Sequence, residues 1–94
     1  MGSSGERTFK ATSRVLSRVL DGEAVLLDLG GGQYYGLDEV GTVVWTALEA
    51  GASVAELVVR VVVAYQVAEE TARGDIERLL AELADKGLVT SSPP

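Results

Sequence analysis

The sequence predicts an α+β domain in which a three-stranded antiparallel sheet is followed by three helices. Three observations support this prediction. The 94 residues, of which 47% are hydrophobic, suffice for one small domain with a single core. Up to residue 37, β-forming residues lie between turn signals, which is typical of short strands. From Asp38 onward, apolar residues recur with the period of a helix.

The three predicted strands form a meander. Residues 7–20 are rich in β-forming residues and precede Asp21-Gly22, a dipeptide typical of tight hairpin turns. Residues 23–29 form the second strand, and the consecutive glycines at 30–32 form the next turn. Residues 33–37, with the sequence QYYGL, form the third strand. Because it is the last strand of a meander, we expect it at the edge of the sheet.

Three helices follow, and their ends carry recognisable capping residues. The first helix begins after the N-cap Asp38 and stops at Gly51. Ser53 and Glu56 form a capping box that opens the second helix. The third helix covers about residues 69–86. The short link between the first two helices fits a helix-turn-helix corner, so the predicted layout is winged helix-turn-helix-like.

The ends of the chain are expected to lie outside the domain. Residues 1–6 are predicted to be a disordered N-terminus or a cloning remnant, residues 7–89 the folded domain, and residues 90–94 a frayed tail. Leu88 and Val89 are expected to fold back onto the core. No segment reaches the roughly 20 apolar residues that span a bilayer, and no secretory signal is recognisable. We therefore expect a cytoplasmic location and no membrane partner.

Composition argues against an enzyme, a metal site and a nucleic-acid-binding surface. The chain has no cysteine and no histidine, which removes thiolate ligands and the commonest general base. The net charge is −6, and residues 69–94 carry six acidic and three basic side chains. Binding to phosphates requires clustered Lys and Arg instead. We expect no catalytic residue, no metal and no cofactor.

The glycine-rich stretch that begins at Gly30 does not fit a phosphate-binding loop. A G-x-G-x-x-G fingerprint starting at Gly30 would place Tyr35 at its last glycine, and no lysine lies nearby for a P-loop. A strand follows the glycines, so no helix N-terminus faces an anion. We interpret the stretch as a turn that leads into an aromatic strand.

The third strand has the features of an edge at which a peptide could dock. Its side chains alternate, so Tyr34 and Tyr35 point to opposite faces, and we expect Tyr35 and Leu37 to enter the core. The simplest interpretation is that both tyrosines cover a small sheet. However, protein edges are usually protected by Lys, Pro or charge, and residues 30–37 contain none of these. Gly36 also lowers the barrier to an approaching backbone, which favours addition of an extended peptide.

An ordered set of motifs covers about residues 14–89, namely Leu27-Asp28, Gly32, Tyr34-Tyr35, Leu37, Trp45, Leu80, Leu83 and Gly87-Leu88-Val89. In order and spacing it resembles the PqqD-like family of domains that recognise precursors of ribosomally made, post-translationally modified peptides. Asp38 stands where the family usually has Asn, and both residues cap helices well. Trp45, which the family pattern matches with an aromatic residue, is expected in the core. A free-standing domain of this size is most similar to the leader-binding part of the split B protein in lasso peptide biosynthesis.

This resemblance implies a mechanism and a set of partners. In the family, the leader of the precursor peptide adds as a strand to the third strand and packs against the third helix. The domain then delivers the precursor to a separate transglutaminase-like cysteine leader peptidase. An asparagine-synthetase-like cyclase, which closes the ring afterwards, is implied as a further partner.

The open edge and the resemblance together predict a peptide-binding site. Backbone groups of the third strand would pair with the leader, apolar side chains would form pockets, and charged residues of the third helix would form a rim. The predicted residues are Val25, Leu27, Gln33, Tyr34, Tyr35, Gly36, Leu37, Asp75, Ile76, Arg78, Leu79, Leu80, Glu82 and Leu83. Some of the apolar stripe of the third helix must face the core, and the sequence leaves open which residues do so.

Three other functions are compatible with parts of the sequence. A winged-helix DNA-binding protein would share the fold, but its recognition helix would need basic residues, and the second helix contains only Arg60. A carrier that hands a quinone-cofactor precursor to a radical enzyme would bind its peptide in the same way and would differ in its partner. A small hydrolase would need a nucleophile–base pair that the sequence does not offer.

Overall fold

The computed structural model describes residues 7–92, so the predictions for residues 1–6 and 93–94 lie outside the described residues. In chain order the elements are β1 (Thr8–Ala11), β2 (Val15–Leu20), β3 (Glu23–Asp28), β4 (Gln33–Gly36), α1 (Glu39–Ala50), β5 (Ala52–Ser53), α2 (Val54–Tyr65), α3 (Glu69–Asp85) and β6 (Val89–Ser92). The α+β class is confirmed, and a meander followed by three helices is compatible with a winged-helix layout.

The predicted meander is present as the antiparallel sheet β2-β3-β4. The turn between β2 and β3 has Asp21 at φ 52° and Gly22 at φ 80°, and two consecutive positive φ values are what a type I′ hairpin turn requires. Leu26 of β3 pairs with Ser17 of β2 and Tyr35 of β4. Because directly opposed residues share a face, this register decides which residues of the sheet cover the core.

The predicted first strand, residues 7–20, is two strands in the structure. It breaks after Ala11 because Thr12 is held by two of the residues between α3 and β6: its N–H donates to Leu88 O at 3.0 Å, and its hydroxyl donates to Gly87 O at 3.2 Å. β1 therefore leaves the meander and forms a second antiparallel sheet in the order β5-β1-β6. The tail predicted to be frayed from residue 90 differs too, because β6 pairs with β1 as far as Ser92.

Both ends of α1 and the start of α2 lie where their capping residues predict. The Asp38 side chain accepts a hydrogen bond from Gly41 N–H at the start of α1, and Gly51 ends the helix with φ 98°. Ser53 and Glu56 form the predicted capping box of α2. α1 is attached to the meander through Thr42, whose hydroxyl accepts a hydrogen bond of 2.7 Å from Ala24 N–H.

One hydrophobic core lies between the meander, the second sheet and the helices. Its largest fully buried side chains are Leu26, Leu48, Leu57, Ile76, Leu88 and Val44. Trp45 is 2% exposed, which confirms its expected place in the core. Leu88 and Val89 are buried as well, as the sequence predicts. Within residues 7–92, no helix is long and apolar enough to cross a membrane.

Candidate functional site

β4 is a terminal strand of the meander, and no other strand within residues 7–92 pairs with its outer edge. Leu37 N–H donates to Ala24 O at 2.8 Å, and Leu37 thus marks the positions whose backbone groups face β3. In an antiparallel pair these positions alternate. The N–H and C=O groups of Tyr35 therefore face β3 as well, whereas those of Tyr34 and Gly36 point to the open edge.

An open cavity of about 340 Å³ lies beside the end of this edge. It is bounded on one side by the junction of β4 and α1 and on the other by α3. The lining residues are Gly36, Leu37, Asp38, Val40, Gly41, Val44, Asp75, Ile76, Arg78, Leu79 and Glu82. A strand added to β4 would therefore run along a cavity that α3 closes on its far side.

Apolar side chains form the floor and the walls of this cavity. Val44 and Ile76 are each 1% exposed and form the floor. Leu37, Val40 and Leu79 are half-buried at its surface and pack against the core from above. A side chain entering the cavity would bury apolar surface against these residues, and each square ångström buried contributes about 25 cal/mol.

Charged side chains of α3 form one rim of the cavity. Arg78 donates a hydrogen bond of 2.7 Å to the Asp75 carboxylate, so these two charges neutralise each other. Glu82 lines the cavity one turn further along α3. Beyond it, Lys86 places its Nζ 5.3 Å from the centre of the Tyr35 ring. The Tyr35 hydroxyl donates to Gln33 Oε1 at 2.7 Å, which fixes the ring against the strand.

The two faces of the meander differ in what covers them. Ala24 and Leu26 face the core and are fully buried. On the opposite face, Leu16, Leu27 and Tyr34 stand in one row across the three strands. Leu16 is 57% exposed and Tyr34 is 70% exposed. Such apolar exposure on a sheet face is typical of a surface that another molecule contacts.

The structure brings together seven of the predicted site residues at the cavity: Gly36, Leu37, Asp75, Ile76, Arg78, Leu79 and Glu82. Gln33, Tyr34 and Tyr35 lie on the same strand. By contrast, Leu80 and Leu83 are each 3% exposed and belong to the core. Val25 and Leu27 lie on the outer face of β3, which points away from the core.

Sequence reasoning missed the contribution of α1 to the cavity, which consists of Asp38, Val40, Gly41 and Val44. A signal was present in the sequence. Only Leu37 and Asp38 separate β4 from α1, so the first turn of α1 must lie beside the end of the strand. A Cβ added to Gly41 would lie 3.2 Å from Leu37 Cβ, so this close contact between the link and the helix favours glycine.

The PqqD family model, described as coenzyme PQQ synthesis protein D, matches residues 23–89. The chain belongs to the PqqD family. The match begins with β3 and ends at the start of β6, so it contains β4, α1 and α3, the three elements around the cavity.

Two solved structures resemble this PqqD-family chain. One is TbiB1 in complex with the TbiA(beta) leader peptide, with 39% identity, a TM-score of 0.79, and coverage of 85% of this chain and 93% of the other. The second is a lasso peptide synthetase B1 complexed with the leader peptide, with 26% identity, a TM-score of 0.77, and coverage of 87% and 96%. No curated protein sequence matches the chain.

Two further observations restrict the chemistry of this PqqD-family domain. Within the described part of the chain, no three His, Cys, Asp or Glu side chains are grouped so that they could hold a metal ion. A second cavity of about 240 Å³ lies between α2 and α3, lined by Ala55, Val58, Val59, Val62, Val63, Glu69 and Arg73. None of the strands that the structure describes contributes to this second cavity, so none offers it an edge for backbone pairing.

Proposed function

We propose that this chain binds the leader segment of a ribosomal precursor peptide and presents it to a separate leader peptidase in lasso peptide maturation. The leader adds as a strand to β4 and packs against α3. The observation that carries this proposal is the open edge of β4 running beside an apolar cavity that α3 closes. The two similar solved structures, each described with a leader peptide, support it.

Backbone pairing at β4 supplies affinity with little demand on the leader sequence. The outward N–H and C=O groups of Tyr34 and Gly36 offer hydrogen bonds of the kind that join neighbouring strands. A Cβ added to Gly36 would meet no atom within 4 Å, so the chain itself leaves open the space that an incoming strand needs.

Side-chain selection then comes from the cavity. A strand places every second side chain on the same face, so alternate leader residues point toward the cavity and α3. An apolar residue there would contact Leu37, Val40 and Leu79. Gln33, Tyr34 and Tyr35 contribute to the site because they lie on β4. Asp75 and Arg78 contribute as charged groups at the rim of the cavity.

Delivery to a peptidase requires a second surface that stays accessible when the edge is filled. The outer face of the meander, with Leu16, Leu27 and Tyr34, is such a surface. It is continuous with the outward side chains of a strand added to β4, so a peptidase bound there would contact this chain and the leader together. In this proposal an asparagine-synthetase-like cyclase acts on the precursor after the leader has been removed.

The proposal is tested by displaying leader segments of ribosomal precursor peptides, including the TbiA(beta) leader, and selecting binders on this chain. The strongest binder, here called the enriched leader, is then titrated by fluorescence polarisation against Leu79→Glu and Val63→Glu. Leu79 lines the proposed site, whereas Val63 lines the second cavity and is 75% exposed. We expect Leu79→Glu to weaken binding at least about tenfold, because it places a charge in an apolar contact.

Val63→Glu, the matched control, is expected to bind as the unmodified chain does. Two outcomes contradict the proposal: no leader is enriched over scrambled sequences, or both variants bind with unchanged affinity while circular dichroism shows that they are folded.

A second candidate function follows from the description of the family model. That description is coenzyme PQQ synthesis protein D, and in this second function the chain would hand a precursor, bound at the same edge, to a radical enzyme of quinone-cofactor synthesis. The protein that co-purifies with this chain from its source cells separates the two functions. A cysteine peptidase favours the lasso pathway, and an iron–sulfur protein favours the quinone pathway.

A further inference from the structure

Four charged side chains follow one side of α3 and its C-cap residue: Asp75, Arg78 and Glu82 line the cavity, and Lys86 is the C-cap. Their spacings of three, four and four residues place them in one row on the helix. Asp75 and Arg78 pair with each other at 2.7 Å. The other two charges of the row have different surroundings, and these determine what the rim can recognise.

Glu82 and Lys86 have the spacing and the order that favour an ion pair on a helix. They do not form one, because the Lys86 ammonium lies over the Tyr35 ring, 5.3 Å from its centre. Within residues 7–92 the ion pairs are Arg14–Asp28, Arg73–Glu69 and Arg78–Asp75, so the Glu82 carboxylate has no cationic partner there.

Glu82 is also distinct from the other carboxylates at the cavity. Asp75 is neutralised by Arg78, and Asp38 uses Oδ1 to accept the hydrogen bond of 2.8 Å from Gly41 N–H at the start of α1. Glu82 therefore presents an unpaired negative charge to a cavity that has an apolar floor and a rim on which Asp75 and Arg78 neutralise each other. A bound peptide that placed an apolar side chain beside it would leave this charge without a partner and partly shielded from water.

We propose that Glu82 binds a lysine or arginine side chain of the leader, and that it thereby determines which leaders this chain accepts. This inference rests on the proposed function, because it names the chemistry of the same peptide. The cation stands on the face of the added strand that points toward α3. It is separated by an even number of positions from the apolar residue that enters the cavity, since side chains on one face of a strand recur every second residue.

The test is a double-mutant cycle with the enriched leader and a leader variant in which its α3-facing lysine or arginine is replaced by glutamine. Both peptides are titrated by fluorescence polarisation against the unmodified chain, Glu82→Gln and Glu77→Gln. Glu77 is exposed on the same helix and does not line the cavity, so its substitution changes the net charge equally without altering the site.

For the unmodified chain we expect the glutamine peptide to bind about two- to fivefold more weakly, the range for a solvent-accessible ion pair. Against Glu82→Gln the two peptides should bind equally, and against Glu77→Gln the full difference should remain. The inference is overturned if the enriched leaders carry no basic residue on that face, or if Glu77→Gln and Glu82→Gln reduce the difference equally. In both cases the enriched leader still binds, so the proposed function stands. Failure to enrich any leader would contradict the function itself.

Discussion

Arg14 Nη2 lies 3.3 Å from Asp28 Oδ1, and this ion pair joins the residue before β2 to the last residue of β3, after which the turn to β4 begins. The same Asp28 oxygen accepts a hydrogen bond of 2.9 Å from Gly30 N–H. A Cβ at Gly30 would collide with the Arg14 guanidinium, and one at Gly87 would lie 3.4 Å from it. The pair therefore ties the start of the meander to the glycine turn that precedes β4, the strand of the proposed binding edge, and the Arg14 guanidinium lies near Gly87 after α3.

Asp28 should make the stability of the fold depend on pH in the acid range. Burial opposes its ionisation, but hydrogen bonds from Gly30 and Gly31 N–H and the nearby Arg14 outweigh burial, and the pKa of Asp28 falls below its ordinary value of 3.8. Because the pKa is lower in the folded chain, ionised Asp28 stabilises the fold above pH 3.8, and this contribution is lost as pH falls through the folded pKa.

Urea unfolding of the unmodified chain and of Asp28→Asn, from neutral pH to below pH 3.8, measures this contribution. We expect Asp28→Asn to be less stable at neutral pH and to approach the unmodified chain as the pH falls. A stability difference between the two chains that stays constant over this range would show that the ion pair does not stabilise the fold.

Gly74 in the interior of α3 offers a stabilising substitution. A Cβ added there would meet no atom within 4 Å, so there is room for an alanine. Alanine lowers the conformational entropy of the unfolded chain and favours the helix, so Gly74→Ala should stabilise the domain by about 0.5–1 kcal/mol. Thermal unfolding monitored by circular dichroism checks this, and a lower Tm would indicate that the glycine is needed for a conformation α3 must adopt.

The outer face of the meander should affect peptidase action while leaving leader binding intact. Leu16→Glu places a charge in the row formed with Leu27 and Tyr34, on the face opposite the core. We expect the enriched leader to bind this variant normally. The rate at which the cysteine leader peptidase of the same pathway cleaves the bound precursor should fall at least about tenfold, the effect of a central interface residue. Equal cleavage rates for Leu16→Glu and Val63→Glu would exclude this face as the docking surface.

Much of the fold could be predicted because its signals are local. Asp38, Gly51, Ser53 and Glu56 act on backbone groups within a few residues, so the helix ends follow directly from the sequence. The break in the first strand could not be predicted, because Thr12 donates its hydrogen bonds to Gly87 and Leu88, which lie 75 and 76 positions later in the chain.

For the candidate site, too, one part can be predicted from the sequence and another part cannot. The open edge at Tyr34 and Gly36 follows from the order of the strands, and it was predicted. The side of α3 that faces the cavity could not be predicted, because Leu79, Leu80 and Leu83 all fit one apolar stripe in the sequence. α3 packs mainly against α2, and in this packing Leu80 and Leu83 are buried in the core while Leu79 stays at the surface of the cavity.

Hydrogen exchange of the β4 amides, followed by NMR with and without the enriched leader, tests the central claim most directly. Tyr35 N–H already faces β3, whereas the N–H groups of Tyr34 and Gly36 point to the open edge. Strand addition predicts that leader binding slows exchange at Tyr34 and Gly36 at least about tenfold, with a much smaller change at Tyr35. If the leader binds at saturation and the Tyr34 and Gly36 amides exchange as fast as before, the peptide does not pair with β4, and the account is contradicted.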